Sequence, residues 1–155
     1  MHKNPYAEAL GSADPLKALS TTPRKIKTLT SNWTARQWQR SYAPGKWSAR
    51  QILVHLAQTE LALTTRVRYG ASQEGYVAQP FDQDAWLSLD RADGPTALDT
   101  YMALRRFNLA MFKGLTPTLR ARPFRHPEYG ALTPDWVMAQ LAGHELHHFN
   151  QLKQI

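Results

Sequence analysis

Apolar side chains along this chain recur every three or four residues, which is the spacing of a helix face that packs against a core. The clearest stripe follows Ser48 and is formed by Ile52, Leu56, Thr59, Leu63 and Val67. Ser48 and Gln51 are spaced as a capping box, in which each side chain bonds the other residue's backbone N–H. The pattern predicts a helix from Ser48 to about Tyr69 that ends at Gly70, with His55 at the edge of the apolar stripe.

Two further helices are predicted from Thr-Pro pairs, in which threonine is the N-cap and proline the first helical residue. One pair opens a helix at Thr22 that ends near Asn32. The stretch of residues 14–19 either belongs to this helix or forms a separate turn. The other pair opens a helix at Thr133 that reaches the C-terminus.

Another predicted helix runs from Pro95 to about Lys113 and carries a charged residue on its apolar face. Arg105 falls within that face, which is otherwise formed by Leu98, Met102, Leu109 and Phe112. An arginine at such a position is either ion-paired or extended to solvent, or it binds the carboxylate of a ligand. Arg105 is therefore a candidate catalytic or cofactor-binding residue.

The remaining segments are predicted to be short or irregular. Residues 33–40 favour a short helix, and residues 71–94 a long connection with a turn of helix around residues 84–87. Prolines and a glycine interrupt residues 120–132, which predicts a small hairpin or an extended loop before the last helix. Four helical units without a convincing sheet pattern predict an all-α four-helix bundle, and we expect residues 1–155 to form one domain.

Composition narrows the chemistry further. Hydrophobic residues make up 43% of the chain and charged residues 20%, which is typical of a globular domain. The absence of cysteine excludes disulfides, thiolate nucleophiles and cysteine-bound zinc, and it fits a cytoplasmic location. The N-terminus lacks the apolar region of a secretion signal, and no run approaches ~18 apolar residues, so we expect no membrane span.

The chain is basic, since 19 Lys and Arg against 12 Asp and Glu give a formal charge of +7. This balance favours anionic partners. The basic residues are only mildly clustered, however, and no nucleic-acid-binding motif is present. We therefore expect a small-molecule substrate rather than a nucleic acid.

The most informative string is His144-Glu145-Leu146-His147-His148, which fits the H-E-x-x-H pattern. On a helix, side chains four residues apart lie about 40° apart and can bind one metal ion together. A protease of this type uses the glutamate as its base and needs a third metal ligand downstream. The seven residues after His148 contain neither a histidine nor a carboxylate side chain, which argues against a protease. Glu145 remains a candidate general base.

The two outer histidines of this string face the predicted core. With Val137 as the origin, His144 and His148 lie within about 20° of it around the helix, whereas His147 lies about 80° to one side. Two inward-facing histidines are either bonded to polar neighbours in the core or bind a metal together, and the paired arrangement favours a metal. We expect His147 to bond a neighbouring side chain instead.

A metal site in a bundle draws its ligands from more than one helix. His55, on the edge of another core-facing stripe, is the predicted third ligand, and His126, in the segment before the last helix, is the alternative. Imidazole ligands suit zinc, nickel, iron or manganese, so the identity of the divalent metal stays open.

Four pieces of the chain share their order and spacing with a known family. They are Pro44-Gly45-Lys46-Trp47-Ser48, Ile52-Leu53-x-His55-Leu56-x-x-x-Glu60, His126-Pro127-Glu128-Tyr129-Gly130-x-Leu132-Thr133 and His144-x-x-His147-His148-x-x-Gln151. Together they resemble the DinB-like superfamily, including its YfiT-type members, over roughly residues 14–155. The resemblance implies a four-helix bundle, often a homodimer, with a divalent metal held by three histidines. Carried over by position, these are His55, His144 and His148.

The resemblance also implies a range of activities. Some members transfer a low-molecular-weight thiol such as bacillithiol, mycothiol or glutathione to an electrophile. Our first hypothesis is such a thiol S-transferase, with the thiol supplied from outside because the chain has no cysteine. The alternatives are a metal-dependent hydrolase that uses water instead, and a non-catalytic metal-binding bundle of the stress response. Gln58 stands where many relatives carry an aspartate, and it is a further candidate site residue.

Overall fold

The computed structural model describes residues 2–155 and is mostly helical. In chain order the elements are α1 (Ala7–Leu10), α2 (Pro15–Thr30), α3 (Ala35–Trp38), α4 (Ala49–Ser72), α5 (Gln83–Leu89), α6 (Gly94–Gly114), α7 (Pro117–Ala121), β1 (Phe124–His126), β2 (Gly130–Leu132) and α8 (Pro134–Leu152).

The four long helices α2, α4, α6 and α8 form the predicted four-helix bundle. Helix α4 packs against α6 and α8, and α2 packs against the same two helices. Of the two structures predicted before the last helix, a small hairpin or an extended loop, the hairpin is present, because β1 and β2 pair in antiparallel fashion. No helix within residues 2–155 is both long and apolar enough to cross a bilayer.

Two of the predicted helix starts are confirmed by their caps. Ser48 and Gln51 form the capping box at the start of α4, each side chain bonding the other's backbone N–H. At the start of α8, the hydroxyl of Thr133 accepts a hydrogen bond from the backbone N–H of Trp136 at 3.1 Å. Helix α8 begins and ends close to the positions that the sequence predicts.

The helix start predicted at Thr22 is wrong, because α2 begins at Pro15 and Pro23 lies inside the helix. The alternative that the stretch of residues 14–19 belongs to the same helix is confirmed, with Asp14 as its N-cap. A proline cannot donate a hydrogen bond to the carbonyl four residues earlier in the chain. That carbonyl belongs to Leu19, and it accepts a hydrogen bond from the Arg105 guanidinium at 3.1 Å. A side chain from α6 thus replaces the backbone donor that proline lacks.

The helix end predicted at Gly70 is also wrong, because α4 continues to Ser72. A Cβ atom on Gly70 would lie only 2.5 Å from a ring carbon of Phe124. Glycine at this position therefore allows β1 to pack directly against α4, and it does not mark a helix end.

A layer of polar side chains divides the core across the four long helices. On one side is an apolar cluster that includes Leu19, Val67, Phe112, Val137 and Leu141, and on the other a cluster that includes Ile26, Ile52, Leu98, Tyr101 and Leu152. The buried polar residues of this layer are Thr22, His55, Gln58, Thr59, Glu60, Arg105, Asn108, His144, Glu145 and His148. Burying so many polar groups is costly unless each finds a partner.

Candidate metal centre

Three histidines of the polar layer bring their ring nitrogens together. His55 comes from α4, and His144 and His148 lie one turn apart on α8. Nε2 of His144 lies 2.9 Å from Nε2 of His55 and 3.0 Å from Nε2 of His148. The three residues are each no more than 5% exposed. Among residues 2–155, this is the group of histidine and carboxylate side chains whose spacing could hold a metal ion.

A hydrogen bond to Gln151 determines which ring nitrogen of His148 carries the proton. The side-chain oxygen of Gln151 accepts from Nδ1 of His148 at 2.7 Å, and its amide nitrogen donates to the Tyr42 hydroxyl at 3.1 Å. Because Nδ1 carries the proton, Nε2 of His148 presents a lone pair to His144. This is the arrangement in which a residue outside the ligand set orients a metal-binding imidazole.

The donor set fits a metal ion better than it fits hydrogen bonding among the histidines. Nε2 of His144 takes part in both short contacts, and a neutral ring nitrogen is either a donor or an acceptor. Since Nε2 of His148 is an acceptor, one proton on Nε2 of His144 can satisfy only one contact well. One cation that accepts a lone pair from each of the three nitrogens would satisfy both contacts.

Burial keeps the three imidazoles neutral. It lowers the pKa of His55 to about 3, with a contribution from the charge of His148, and it lowers the pKa of His148 to about 4. Burial, together with repulsion from the other histidines and from Arg105, holds the pKa of His144 well below its usual range. All three rings therefore keep the lone pairs that a metal requires at neutral pH.

Aromatic side chains enclose the histidines. Trp47 and Phe81 pack against the ring of His55, with ring centroids 4.8 and 6.2 Å away. Tyr6 meets the ring of His144 edge-on at 4.9 Å. A Cβ atom on Gly143 would lie 2.4 Å from the backbone oxygen of Tyr6, so glycine lets the N-terminal segment lie directly over α8.

A cleft of about 210 Å³ reaches His55 and His144 from the surface. Its other lining residues are Pro5, Tyr6, Thr59, Leu63, Arg66, Phe81, Gln83, His126, Glu128, Tyr129 and Gln140. A second hollow of about 390 Å³ borders His148, next to Trp47 and Gln151. These openings suit a small molecule.

His126, the alternative third ligand, lies in the cleft but outside the histidine group. Its ring stacks on Tyr129 at 4.8 Å, and its Nδ1 accepts a hydrogen bond from the backbone N–H of Glu128 at 3.2 Å. The structure therefore brings His55, and not His126, to the pair on α8.

Arg105 and Glu145, both candidates for chemistry, are bound to each other in the polar layer. The Arg105 guanidinium donates to Glu145 at 2.9 Å and to Glu60 at 2.6 Å, and the Asn108 amide donates to Glu60 at 2.8 Å. Burial and repulsion from Glu60 raise the pKa of Glu145 well above its usual value. Neither Arg105 nor Glu145 lines the cleft, so the structure assigns Arg105 the ion-paired alternative.

The other two predicted residues also lie away from the cleft. The side-chain amide of Gln58 donates to Asp90, and Gln58 is 2% exposed. Nε2 of His147 lies 3.0 Å from the amide nitrogen of Gln151, so this histidine contacts a neighbouring side chain as expected.

Sequence reasoning missed four residues of the site. Trp47 stands within one of the family-like strings, but Tyr6 and Phe81 belong to segments with no periodic pattern. Arg66 carries no sequence signal, because a basic residue on a helix is usually solvated. Only the packing of distant segments brings these side chains to the histidines.

Comparison with known proteins agrees with this geometry. The family model of the DinB superfamily matches residues 18–152. A protein of Oceanobacillus iheyensis named "Putative metal-dependent hydrolase OB0782" is 26% identical over 90% of this chain and 83% of its own length. "Putative metal-dependent hydrolase YfiT" of Bacillus subtilis is 25% identical over 90% of this chain and 81% of its own length.

The solved structure of the Bacillus subtilis protein has the same fold. It superimposes with a TM-score of 0.82 over 90% of this chain and 82% of that one, at 25% identity. That protein is described as "a probable metal-dependent hydrolase with an unusual four-helix bundle topology".

Proposed function

The chain belongs to the DinB superfamily, and from that premise we propose that it is a metal-dependent hydrolase of a small molecule, with His55, His144 and His148 as the metal ligands. The observation that carries the proposal is the pair of short nitrogen–nitrogen contacts at 2.9 and 3.0 Å, which neutral imidazoles cannot both satisfy. The names of the relatives support hydrolysis as the reaction.

The chain's own residues would prepare the site in three ways. Gln151 holds His148 in the tautomer that binds through Nε2. The aromatic rings of Tyr6, Trp47 and Phe81 fix the ligand rings and limit the access of water. Neutral ligands leave the full charge of a divalent ion, which when bound supplies Lewis acidity that polarises a carbonyl and acidifies water.

A thiol S-transferase is the second candidate, because the same neutral donor set would also favour ionisation of a thiol. The chain has no cysteine, so the thiol would be a separate cofactor such as glutathione. We also propose that the protein forms a homodimer, as the resemblance implies. Light scattering of the full chain would test this.

The test of the proposed function is a comparison of reactions with and without metal. Metal-free protein would be reconstituted separately with zinc, nickel, iron and manganese. Each form would be assayed for hydrolysis of small esters and amides, and for conjugation of glutathione to 1-chloro-2,4-dinitrobenzene. We expect hydrolysis that depends on the metal and is lost in His144→Ala but kept in His147→Ala.

The other outcomes assign the alternatives. Conjugation without hydrolysis would contradict the hydrolase and support the thiol S-transferase. Neither reaction in a protein that holds a full equivalent of metal would support a non-catalytic metal-binding bundle.

A further inference from the structure

Arg66 on α4 is a positively charged side chain that the fold buries. It is only 5% exposed. Its guanidinium donates one hydrogen bond, to the backbone carbonyl of Gln79 at 2.8 Å. Within residues 2–155 it forms no salt bridge, in contrast to the equally buried Arg105, which pairs with two carboxylates. A buried charge is normally paired, so we expect a bound ligand to supply the negative charge that pairs with Arg66.

The side chain of Arg66 lines the same cleft as two of the three clustered histidines, His55 and His144. The guanidinium of Arg66 carries five N–H groups, and only its Nη2 nitrogen donates to the backbone carbonyl of Gln79. The remaining donors are available to a ligand in the cleft. Burial lowers the pKa of Arg66, but a guanidinium stays charged at neutral pH.

His126 supplies a second free donor in the cleft. The backbone N–H of Glu128 donates to its Nδ1 at 3.2 Å, so the proton of the neutral ring sits on Nε2. His126 is 3% exposed, and its Nε2 has no hydrogen-bond partner among residues 2–155. Burial and the charge of Arg66 lower the pKa of His126, which keeps the ring in this neutral form.

We infer that Arg66 and His126 form a subsite that binds a carboxylate group of the substrate beside the three histidines. One fixed positive charge and one neutral N–H match a group with a single negative charge and two acceptor oxygens. The carboxylate of Glu128 also lines the cleft, and its charge favours the charged form of Arg66. Glu128 is exposed, however, and it forms no salt bridge with Arg66 within residues 2–155. As a statement about substrate, this inference rests on the proposed hydrolase function.

The experiment compares two probes of the same size and shape that differ in charge. N-acetylglycine carries a carboxylate, and N-acetylglycinamide replaces it with a neutral amide. Their dissociation constants would be measured by NMR titration of the full chain, both metal-free and loaded with zinc. We expect wild-type protein to bind the carboxylate at least ~10-fold more tightly than the amide in the metal-free form.

Variants separate the subsite from general electrostatics. Arg66→Met should reduce the preference to less than twofold, and Arg66→Lys should keep part of it, because lysine retains the charge but not the fork. His126→Phe, which preserves stacking on Tyr129, should weaken carboxylate binding severalfold. The exposed Arg24→Met should keep the full preference. Circular dichroism would show that each variant is folded.

Several results would overturn the inference. They are equal affinity for the two probes in wild-type protein, an undiminished preference in both folded Arg66 variants, and tighter binding of inorganic phosphate than of the carboxylate. The metal-free arm keeps this test separate from the proposed function. A carboxylate preference without any metal-dependent hydrolysis would contradict the hydrolase and leave the subsite standing.

Discussion

Two groups of buried polar side chains share the middle of this bundle, and they differ in how well the protein satisfies them. The ion-pair cluster consists of Glu60, Arg105, Asn108 and Glu145, and the histidine cluster of His55, His144 and His148. Helices α4 and α8 contribute to both. Within the ion-pair cluster each charged group has a partner of the opposite charge at 2.6 to 2.9 Å.

Within the histidine cluster, no placement of protons on the neutral rings gives every nitrogen of the short contacts a hydrogen-bond partner. Two of its contacts, from Nε2 of His55 and from Nε2 of His148, compete for Nε2 of His144. A buried polar group that is fully paired holds the fold together, whereas one left unpaired beside a cleft is available to a ligand. The ion-pair cluster is therefore the part of the polar layer that we expect to stabilise the fold, and the histidine cluster is the part that we expect to bind a metal ion.

The H-E-x-x-H string shows the same division over five residues. Its outer histidines belong to the histidine cluster, and Glu145 belongs to the ion-pair cluster. On a helix, adjacent residues point about 100° apart. The glutamate therefore faces away from the cleft, whereas in a zinc protease the glutamate of this string is the general base beside the metal.

The largest expected effect comes from breaking the ion-pair cluster. Arg105→Met would leave two buried carboxylates without a counter-charge and the Leu19 carbonyl without a donor. We expect the free energy of unfolding to fall by about 3–5 kcal/mol, measured by urea denaturation. Arg106→Met, at an exposed position on the same helix, should change it by less than about 0.5 kcal/mol. A loss below about 1 kcal/mol for Arg105→Met would contradict this role.

The second largest effect is expected from acid, which should lower the free energy of unfolding because the fold buries the neutral rings of the histidine cluster. The pKa values of His55 and His148, about 3 and about 4 in the folded protein, lie below the ordinary value of 6.5. Below pH 6.5 the unfolded chain binds protons that the folded chain does not, so stability is full above this pH and falls as the pH drops toward 4.

For metal-free protein we expect His55 and His148 together to make the free energy of unfolding about 2.5 kcal/mol lower at pH 5.5 than at pH 7, and His144 to add to this difference. Urea denaturation at the two pH values would measure the difference. A His55→Phe variant should show a smaller difference, since one titrating group is gone. Equal pH dependence in the two proteins would mean that His55 is not held neutral by the fold.

The orientation of His148 provides a smaller effect. Gln151→Leu removes the acceptor that fixes its tautomer, and we expect metal affinity to fall ~10- to 100-fold. Competition with a chelator would measure it. Gln154→Leu, an exposed glutamine one turn away on the chain, is the matched control. If both variants bind metal alike, Gln151 does not orient the ligand.

The smallest effect is expected at His147, which is exposed. Its Nε2 contacts Gln151, and its ring packs edge-on against His148 without joining the group of clustered ring nitrogens. His147→Ala should change metal affinity by less than about twofold, because none of the three ligands is altered. The same chelator competition would detect a change. A loss above about tenfold would place His147 in the metal site and redraw the histidine cluster.

The sequence predicted the bundle and the histidine cluster because both follow from helical periodicity. The inward positions of His144 and His148 come from a wheel about Val137, and His55 lies on the edge of a core-facing stripe. Such patterns depend only on neighbours along the chain. The hairpin was predicted for a similar reason, from the prolines and glycine that interrupt its segment.

The parts that could not be predicted depend on contacts between distant segments. The sequence predicts a helix start at Pro23, because no local pattern shows that Arg105 on another helix donates to the Leu19 carbonyl in place of the missing proline N–H. Arg66 became a candidate because it is buried without a salt bridge within residues 2–155, and a local sequence pattern cannot show which side chains lie near it. Tyr6 and Phe81 reach the site from segments whose placement only packing decides.

The central claim is that His55, His144 and His148 bind one metal ion, and the most direct measurement is metal content. Protein without a histidine tag would be analysed by elemental mass spectrometry, together with His55→Ala, His144→Ala, His148→Ala and His126→Ala. We predict about one equivalent per chain in the wild type and in His126→Ala, and loss of most of it in the other three. Metal retained in those three variants, or no metal in the wild type after reconstitution, would contradict the account.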